Sequence, residues 1–147
     1  MSTVTWPEAV EHFREPKVYW LATVTPAGEP HSVPVWGVVL DDAIYLYSEP
    51  GTIKARNIAK NPAVVVHLES GSDVAIIKGR AIEVPLGDEF DAVSAAFASK
   101  YSEPSEADYL PTNDGATLAW RVEPVSAMTW QLEDMEGSMR RWRANNT

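Results

Sequence analysis

The sequence predicts a mainly β fold of the α+β type. Six or seven mostly antiparallel strands would form a barrel with Greek-key character, accompanied by two to four short helices. β-Branched and aromatic residues recur in short runs, and Pro, Gly and Asp turns separate these runs. Most connections are too short for the crossover that parallel strands require. With 147 residues and 45% apolar residues, residues 1–147 are expected to form a single domain.

The first half of the chain is predicted to hold two short helices and three strands. A helix over residues 6–13 should end before Pro16, and a second should run from Thr52 to Lys60 and stop at Asn61-Pro62. The strands are expected at residues 18–25, 31–40 and 43–47. Pro34 cannot donate to a ladder, so it should lie at a sheet edge or a bulge.

The second half is predicted to hold three longer strands and one amphipathic helix. The strands are expected at residues 63–68, 74–84 and 118–131, with Gly79 forming a bulge. The run at 63–68 is almost continuously apolar, which predicts burial on both faces. The helix is expected at 88–101, where four apolar residues have helical spacing: Phe90, Val93, Ala96 and Phe97. Residues 102–115 should form a loop, and residues 137–143 a basic, aromatic tail.

Composition excludes several classes of function. The chain has a net charge of −9 and no cysteine, which argues against general nucleic-acid binding, disulfides and Cys-ligated metals. The three histidines (His12, His31 and His67) are too scattered to predict a metal site. No signal peptide is recognised and no apolar run approaches the roughly 20 residues that span a bilayer, so a cytoplasmic protein without a membrane partner is expected.

The most informative stretch, residues 47–62, predicts a site for an anion. Ser48 ends a predicted strand, a Pro-Gly turn follows, and Thr52 starts the short helix. A helix N-terminus exposes unpaired N–H groups, and both hydroxyls can donate to an anion. Lys54 and Arg56 add full charges, although such residues are also ordinary on a solvated helix face. Since they are two positions apart, they should project to different sides of the helix.

This stretch carries a family resemblance. Tyr47-Ser48, Thr52, Lys54 and Asn61-Pro62 match the phosphate-binding segment of split β-barrel proteins of the pyridoxamine 5′-phosphate oxidase type. Within that family, the chain resembles the flavin and deazaflavin oxidoreductases. The late strand is similar as well, because Arg121 opens a motif that ends in Trp130. The chain departs from the family at Ile53, where an Arg is usual, and it lacks the C-terminal Arg-x-His of the vitamin B6 oxidases.

The resemblance implies a coenzyme F420-dependent oxidoreductase that transfers a hydride between the deazaflavin and a small conjugated organic substrate. It implies a homodimer with the cofactor at the subunit seam, completed by Trp130 and the basic tail of the partner subunit. Three groups of residues would bind the cofactor: a ring wall of His31, Ser32, Val33, Val35 and Trp36, a phosphate site of Tyr47, Ser48, Thr52 and Lys54, and a following helical turn of Ala55, Arg56 and Asn57. No catalytic side chain is assigned, because the cofactor carries the chemistry.

Three alternatives remain open at this point. FMN could replace F420, although the charge of Arg56 beside Lys54 favours the polyanionic F420 tail. The protein could also bind a flavin or F420 as a carrier without turnover. Haem binding on the same barrel would need an axial ligand such as His31 or His67.

Overall fold

The computed structural model describes residues 2–145, which contain nine strands, four α-helices and two 3₁₀ helices. The strands are β1 (Ser2–Thr3), β2 (Tyr19–Val24), β3 (Pro30–Val35), β4 (Gly37–Leu40), β5 (Ala43–Ser48), β6 (Ala63–Leu68), β7 (Asp73–Val84), β8 (Leu118–Gln131) and β9 (Arg140–Arg143). The α-helices are α1 (Trp6–Glu11), α2 (Ile53–Lys60), α3 (Asp88–Lys100) and α4 (Met135–Ser138), and the 3₁₀ helices span Pro104–Tyr109 and Leu132–Asp134. The mainly β, α+β prediction is confirmed, with more strands than the expected six or seven.

The strand β8 organises the sheet. Its neighbour β7 pairs with it from Ala119 to Gln131, so one edge of β8 is used along almost its whole length. The other edge is shared, with β5 pairing near the start of β8 and β9 near its end. From β7 the sheet continues through β6 and β2 to β3, which is an edge strand. Pro34 is exposed on that edge, as predicted, and the register shift beside Gly79 confirms the predicted bulge.

The strand expected at residues 31–40 is in fact two strands, which corrects the prediction. The chain leaves β3 at Trp36 and starts β4 at Gly37, and β4 pairs with β5 instead of continuing beside β2. A two-residue turn joins β4 to β5, and its two residues, Asp41 and Asp42, both have positive φ, as hairpin turns of this length require. The break at Trp36 redirects the chain from one side of the barrel to the other.

Two clusters of buried side chains form the core. The larger cluster packs α1 and α2 against the inner face of the sheet, and the smaller one packs α3 against β4 and β5. Phe90, Val93 and Phe97 of α3 are buried, as their spacing predicted, and Ala96 packs at the margin. Three carboxylates lie in the first turn of α3, where their negative charge stabilises the positive end of the helix dipole.

The expectation that residues 63–68 are buried on both faces is wrong for the single chain. Val64 and Val66 of β6 are buried in the larger cluster, whereas Val65, His67 and Leu68 are half-buried. Continuous apolar composition does not reveal which of the two faces is covered by the same chain. The outer face of β6 is therefore partly apolar and uncovered by the described residues.

Three other expectations are corrected at the level of local structure. The first helix ends at Glu11, not at residue 13. The loop expected at 102–115 contains the 3₁₀ helix Pro104–Tyr109, which begins with a capping box between Glu103 and Glu106. The tail expected at 137–143 forms part of α4 and then β9, and Trp142 packs on Trp6 with ring centroids 5.2 Å apart. No helix within residues 2–145 has the length and apolar character needed to cross a bilayer.

A half-buried lysine lies where α3 meets the start of β4. The Lys100 ammonium donates to the Gly37 carbonyl oxygen at 2.7 Å and lies 4.8 Å from the centre of the Tyr19 ring and 5.5 Å from that of Tyr101. Burial lowers the pKa of Lys100 to about 8, and the charge of nearby Lys17 adds to that shift.

The stability of the fold should therefore rise with pH above the lowered pKa of Lys100. Below pH 8 both the folded and the unfolded chain hold the proton, and the cost of burying the charge is fully present. As pH rises from about 8 towards the ordinary lysine value of 10.5, only the unfolded chain keeps the proton, so the folded state gains stability. We expect a gain of about 1 kcal/mol, since solvent screens part of the effect at a half-exposed side chain.

Denaturant titrations between about pH 7.5 and 9.5 would measure this rise. The variant Lys100→Met should lose it, whereas Lys60→Met, at an exposed position, should keep it. Above about pH 10 the trend should reverse, because burial raises the pKa of Tyr19 and Tyr101 and the unfolded chain then loses its tyrosine protons first. An identical pH dependence in the wild type and Lys100→Met would contradict the assignment to Lys100.

Candidate functional site

A cavity of about 420 Å³ opens between the ends of β3 and β5, the start of α2 and the segment 108–117. Its lining contains both hydroxyl and aromatic side chains, and a single lysine. The lining residues are Pro34, Val35, Trp36, Tyr47, Ser48, Glu49, Thr52, Lys54, Asp108, Tyr109, Leu110, Thr112, Ala116 and Thr117. The cavity therefore joins a polar end on β5 and α2 to an aromatic end beside β3.

The polar end holds two neighbouring hydroxyls. The Oγ of Ser48 and the Oγ1 of Thr52 are 2.7 Å apart, and both can donate to the carbonyl oxygen of Glu49. Thr52 is the N-cap of α2 and accepts a hydrogen bond from the Ala55 N–H. The prediction that Thr52 starts the helix and that Ser48 ends the strand is confirmed. This arrangement follows from the ordinary preference of Thr for the N-cap position.

Lys54 gives the polar end its charge. The side chain is half-buried, and burial lowers the pKa of its ammonium, while the carboxylate of Glu49 acts in the opposite direction. Among residues 2–145, Lys54 forms no ion pair. A partly desolvated ammonium without a carboxylate partner, beside two hydroxyls and a helix N-terminus, is suited to bind an anion.

The aromatic end is built around Trp36, in the break between β3 and β4. Its ring stacks on Tyr101 at 4.3 Å and 9°, and Tyr109 approaches it edge-on at 6.4 Å and 81°. The Tyr101 hydroxyl accepts from the Gly37 N–H and donates to the Lys17 carbonyl oxygen, which fixes the ring that supports Trp36.

Tyr47 connects the two ends of the cavity. It lies on β5 directly before Ser48, and its hydroxyl donates to the carbonyl oxygen of Tyr109. Burial raises the pKa of Tyr47 to about 12, so the phenol stays neutral at physiological pH and remains a donor. The wall formed by the segment 108–117 is thereby attached to the strand that carries the polar end.

The structure brings six of the predicted site residues to this cavity. They are Val35, Trp36, Tyr47, Ser48, Thr52 and Lys54. The other members of the predicted ring wall lie elsewhere on β3. Ser32 is exposed, whereas His31 is half-buried and its Nδ1 has no hydrogen-bond partner within the described part of the chain. Val33 packs against the larger core cluster.

The residues predicted for the next turn of α2 are also placed outside the cavity. Ala55 is buried in the core, and Asn57 is buried and donates to the Thr23 hydroxyl. Arg56 is exposed on the outer side of α2, where it lines a separate groove of about 490 Å³ that also includes Lys60. The prediction that Lys54 and Arg56 project to different sides is confirmed. Trp130 lines a third pocket of about 230 Å³, on the far part of β8.

Sequence reasoning missed the wall that the segment 108–117 contributes. This segment supplies six lining residues: Asp108, Tyr109, Leu110, Thr112, Ala116 and Thr117. Its polar composition indicated a loop, and nothing in it matched a motif. The one usable signal was Tyr109-Leu110, a large aromatic and an aliphatic residue inside an otherwise polar stretch, which indicates a segment that packs on the barrel.

Within residues 2–145, no group of three or more His, Asp or Glu side chains is placed to hold a metal ion. The cavity lining contains no histidine, and its two acidic side chains, Glu49 and Asp108, are exposed. These side chains can bind and orient an anionic, aromatic ligand, but they do not form a nucleophile-and-base pair.

Comparison with known proteins identifies a family model and several similar structures. The family model described as pyridoxamine 5′-phosphate oxidase matches residues 5–131. A haem-binding protein from Mycobacterium smegmatis has a TM-score of 0.75 at 20% identity, over 97% of this chain and 60% of that protein, so this chain spans about three fifths of its length. A conserved hypothetical protein from Mycobacterium tuberculosis has a TM-score of 0.74 at 20% identity, over 88% of this chain and 86% of its own.

A protein described as an F420 reductase has a TM-score of 0.61 at 22% identity, over 80% of this chain and 94% of its own. At such low identities these structures demonstrate a shared fold. No curated protein matches the sequence.

Proposed function

The chain belongs to the pyridoxamine 5′-phosphate oxidase family and has its split β-barrel fold. On that premise, we propose that it is a coenzyme F420-dependent oxidoreductase acting on a small conjugated organic substrate. The observation that carries the proposal is a single cavity with two different ends. One end holds two hydroxyls and Lys54, which has no ion-pair partner among the described residues, and the other end holds aromatic rings.

The residues present fit a cofactor that has an acidic group attached to a planar ring. Lys54, Ser48 and Thr52 would hold the phosphate group, since a charged donor and two hydroxyls match its acceptor oxygens. Val35 and Trp36 would contact the ring, since aromatic and apolar surfaces suit a planar conjugated system. When bound, the deazaflavin supplies a hydride, and the protein's own contribution is to bind, orient and exclude water.

F420 is proposed ahead of FMN because one structural neighbour is described as an F420 reductase and because α2 carries further cations outside the cavity. Arg56 and Lys60 lie one helical turn apart on the outer face of α2, where an acidic tail leaving the cavity could reach them. FMN is the second candidate, since the cavity itself contains only one lysine and FMN carries one phosphate. Binding without turnover, as in a carrier, is the third, because the cavity lining contains no nucleophile-and-base pair.

Haem is less well supported, although one neighbour is described as a haem-binding protein. Neither His31 nor His67 lines the cavity. The Nδ1 of His67 is also within 2.7 Å of the Leu68 carbonyl oxygen, so that nitrogen is already engaged with the backbone.

We further propose that the protein is a homodimer with the cofactor site at the seam. The outer face of the sheet carries half-buried apolar side chains on neighbouring strands, among them Val65, Ile76 and Met128. A partly apolar face without cover is typical of an interface. Trp130, also half-buried, would extend this surface. Sedimentation velocity should show a dimer, and a monomer at micromolar concentration would contradict the proposed homodimer.

The test of the cofactor proposal is a pair of titrations, with F420 and with FMN, followed by tryptophan fluorescence. Trp36 lines the cavity, so a planar ligand should quench its emission. F420 binding at micromolar concentration with weaker FMN binding is the expected result, and the reverse order selects the FMN alternative. Oxidation of reduced F420 by a panel of quinones and nitro compounds then separates an enzyme from a carrier. A protein that binds neither cofactor contradicts the proposal.

Removing the carboxylate next to Lys54 should strengthen cofactor binding. The exposed Glu49 lines the polar end and acts on the Lys54 ammonium, so it repels any anion bound there. Glu49→Gln should therefore lower the dissociation constant for F420 by about two- to threefold, the scale of one exposed charge interaction. The matched control is Glu83→Gln, an exposed carboxylate on β7 outside the cavity. The gain should shrink with added salt, and equal effects of the two variants would show only a change in net charge.

A further inference from the structure

The wall opposite the polar end has an anchored backbone and a largely free side chain. The Tyr47 hydroxyl holds the Tyr109 carbonyl oxygen, and an ion pair of 3.0 Å between Lys17 and Glu106 holds the preceding turn. The Tyr109 side chain itself is 68% exposed, although it is a large aromatic residue. The backbone is therefore held in place at Tyr109, while most of its ring is open to solvent at the cavity that it lines.

Tyr109 is presented beside a fixed partner. Trp36 is stacked on Tyr101, whereas the Tyr109 ring meets it edge-on with centroids 6.4 Å apart. With the cofactor ring on Trp36, a flat substrate ring that enters the cavity mouth can contact the neighbouring Tyr109 ring, which is exposed enough to turn towards it. Aromatic contacts of this kind add about 0.5–1.5 kcal/mol beyond the area that they bury.

The charge of the mouth adds a second criterion. Asp108 precedes Tyr109 and lines the cavity, as does Glu49, and both carboxylates are exposed. The only cation in the lining is Lys54, at the polar end. Once an anionic cofactor group neutralises Lys54, the remaining charge around the cavity is negative, on a chain whose net charge is already −9.

We infer that Tyr109 and Asp108 determine the substrate specificity of this cavity: it accepts planar conjugated substrates that are uncharged or cationic and disfavours anionic ones. This inference rests on the proposed function, because it assigns the polar end and the surface of Val35 and Trp36 to the cofactor, and the exposed Tyr109 ring at the mouth to the substrate. Both residues belong to the segment between residues 84 and 121, which carries none of the motifs that resemble the family.

The test is equilibrium dialysis of two matched probes, naphthalene-2-sulfonamide and naphthalene-2-sulfonate, against protein saturated with F420. The probes share a planar ring and differ in charge, and neither has to react. The uncharged sulfonamide should bind more tightly than the sulfonate. Tyr109→Ala should weaken binding of the sulfonamide by about fivefold. Tyr109→Phe keeps the ring and should bind the sulfonamide as tightly as the wild type does.

Asp108→Asn tests the charge separately. It should strengthen binding of the sulfonate by about two- to threefold, an effect that decreases with salt, and leave the sulfonamide unchanged. The matched control is Asp91→Asn, which removes an exposed carboxylate on α3 outside the cavity and should leave the affinity for both probes unchanged. Equal sulfonate affinities for the Asp108 and Asp91 variants would overturn the role of Asp108.

Two other outcomes would overturn the inference. Unchanged sulfonamide affinity in Tyr109→Ala removes Tyr109 from the substrate site, and competition between F420 and the sulfonamide shows that the Tyr109 ring belongs to the cofactor site. Failure of the proposed function is distinguishable, because it appears first as the absence of F420 and FMN binding. In that case dialysis of the sulfonamide against the protein alone, with the same Tyr109 variants, still decides whether the mouth binds planar rings.

Discussion

Replacing Lys54 with alanine should weaken F420 binding by roughly 10- to 150-fold, which corresponds to the loss of about 1.5–3 kcal/mol from a hydrogen bond to a charged group. The effect is expected to be large because Lys54 is the only cation that lines the cavity and its ammonium is already partly desolvated. The same loss should appear with FMN, since the proposed contact is to a phosphate group in both cofactors. Titration of tryptophan fluorescence measures both affinities.

The matched control is Lys60→Ala, on the same helix but on its outer, exposed side. If Lys54 binds the phosphate directly, Lys60→Ala should weaken FMN binding far less than Lys54→Ala does, because FMN has no tail that reaches the outer side of the helix. Thermal unfolding should change little in either variant, because neither lysine forms an ion pair within the described residues. Lys54→Ala with wild-type affinity for both cofactors would remove the polar end of the cavity from the cofactor site.

Replacing Gly37 with alanine should reduce the free energy of unfolding by about 3 kcal/mol, the upper end of the usual cost of overpacking. A Cβ atom at Gly37 would lie 2.1 Å from the Cε2 of Tyr19, whose ring is fully buried against Phe13. The ring cannot move away without losing the hydrogen bond from its hydroxyl to the Phe13 carbonyl oxygen. The first position of β4 therefore requires a glycine, because any side chain there would overlap the Tyr19 ring.

Urea unfolding monitored by circular dichroism measures this change, and Gly71→Ala is its control. A Cβ at Gly71 would meet no atom within 4 Å, so that variant should be close to neutral. Since Trp36 directly precedes Gly37, Gly37→Ala should also alter the tryptophan emission of the folded protein. If Gly37→Ala is as stable as the wild type, the Tyr19 ring can shift at little energetic cost, and the steric argument is wrong.

Local patterns were sufficient for most of the barrel. The helix from Ile53 to Lys60, the strand Ala63–Leu68 and the long strand Leu118–Gln131 were predictable because capping, Pro-containing turns and runs of β-branched residues act over short distances. The polar end of the cavity was predictable for the same reason: Ser48, Thr52 and Lys54 lie within seven consecutive residues. Their proximity follows from a single strand, turn and helix.

The rest depended on contacts between distant parts of the chain. The break at Trp36 exists because β4 pairs with β5 while β3 pairs with β2. The Trp36 ring stacks on Tyr101, which is sixty-five positions further along the chain. The different orientations of Arg56 and Lys54 followed from their helical spacing, whereas the separate groove that Arg56 lines depends on how α2 packs on the barrel. The wall around Tyr109 has no periodicity or motif, so only the folded structure reveals that it faces the cavity.

The hydrogen bond from Tyr47 to the Tyr109 carbonyl has a consequence for how such a protein can diversify. It joins a side chain of β5 to a backbone atom, and a backbone carbonyl is present whatever side chain occupies that position. Mutations in residues 108–117 can therefore remodel the entrance while the attachment and the anchoring lysine persist. Selection could exchange one acceptor molecule for another through this short stretch alone, without rebuilding the pocket that retains the coenzyme.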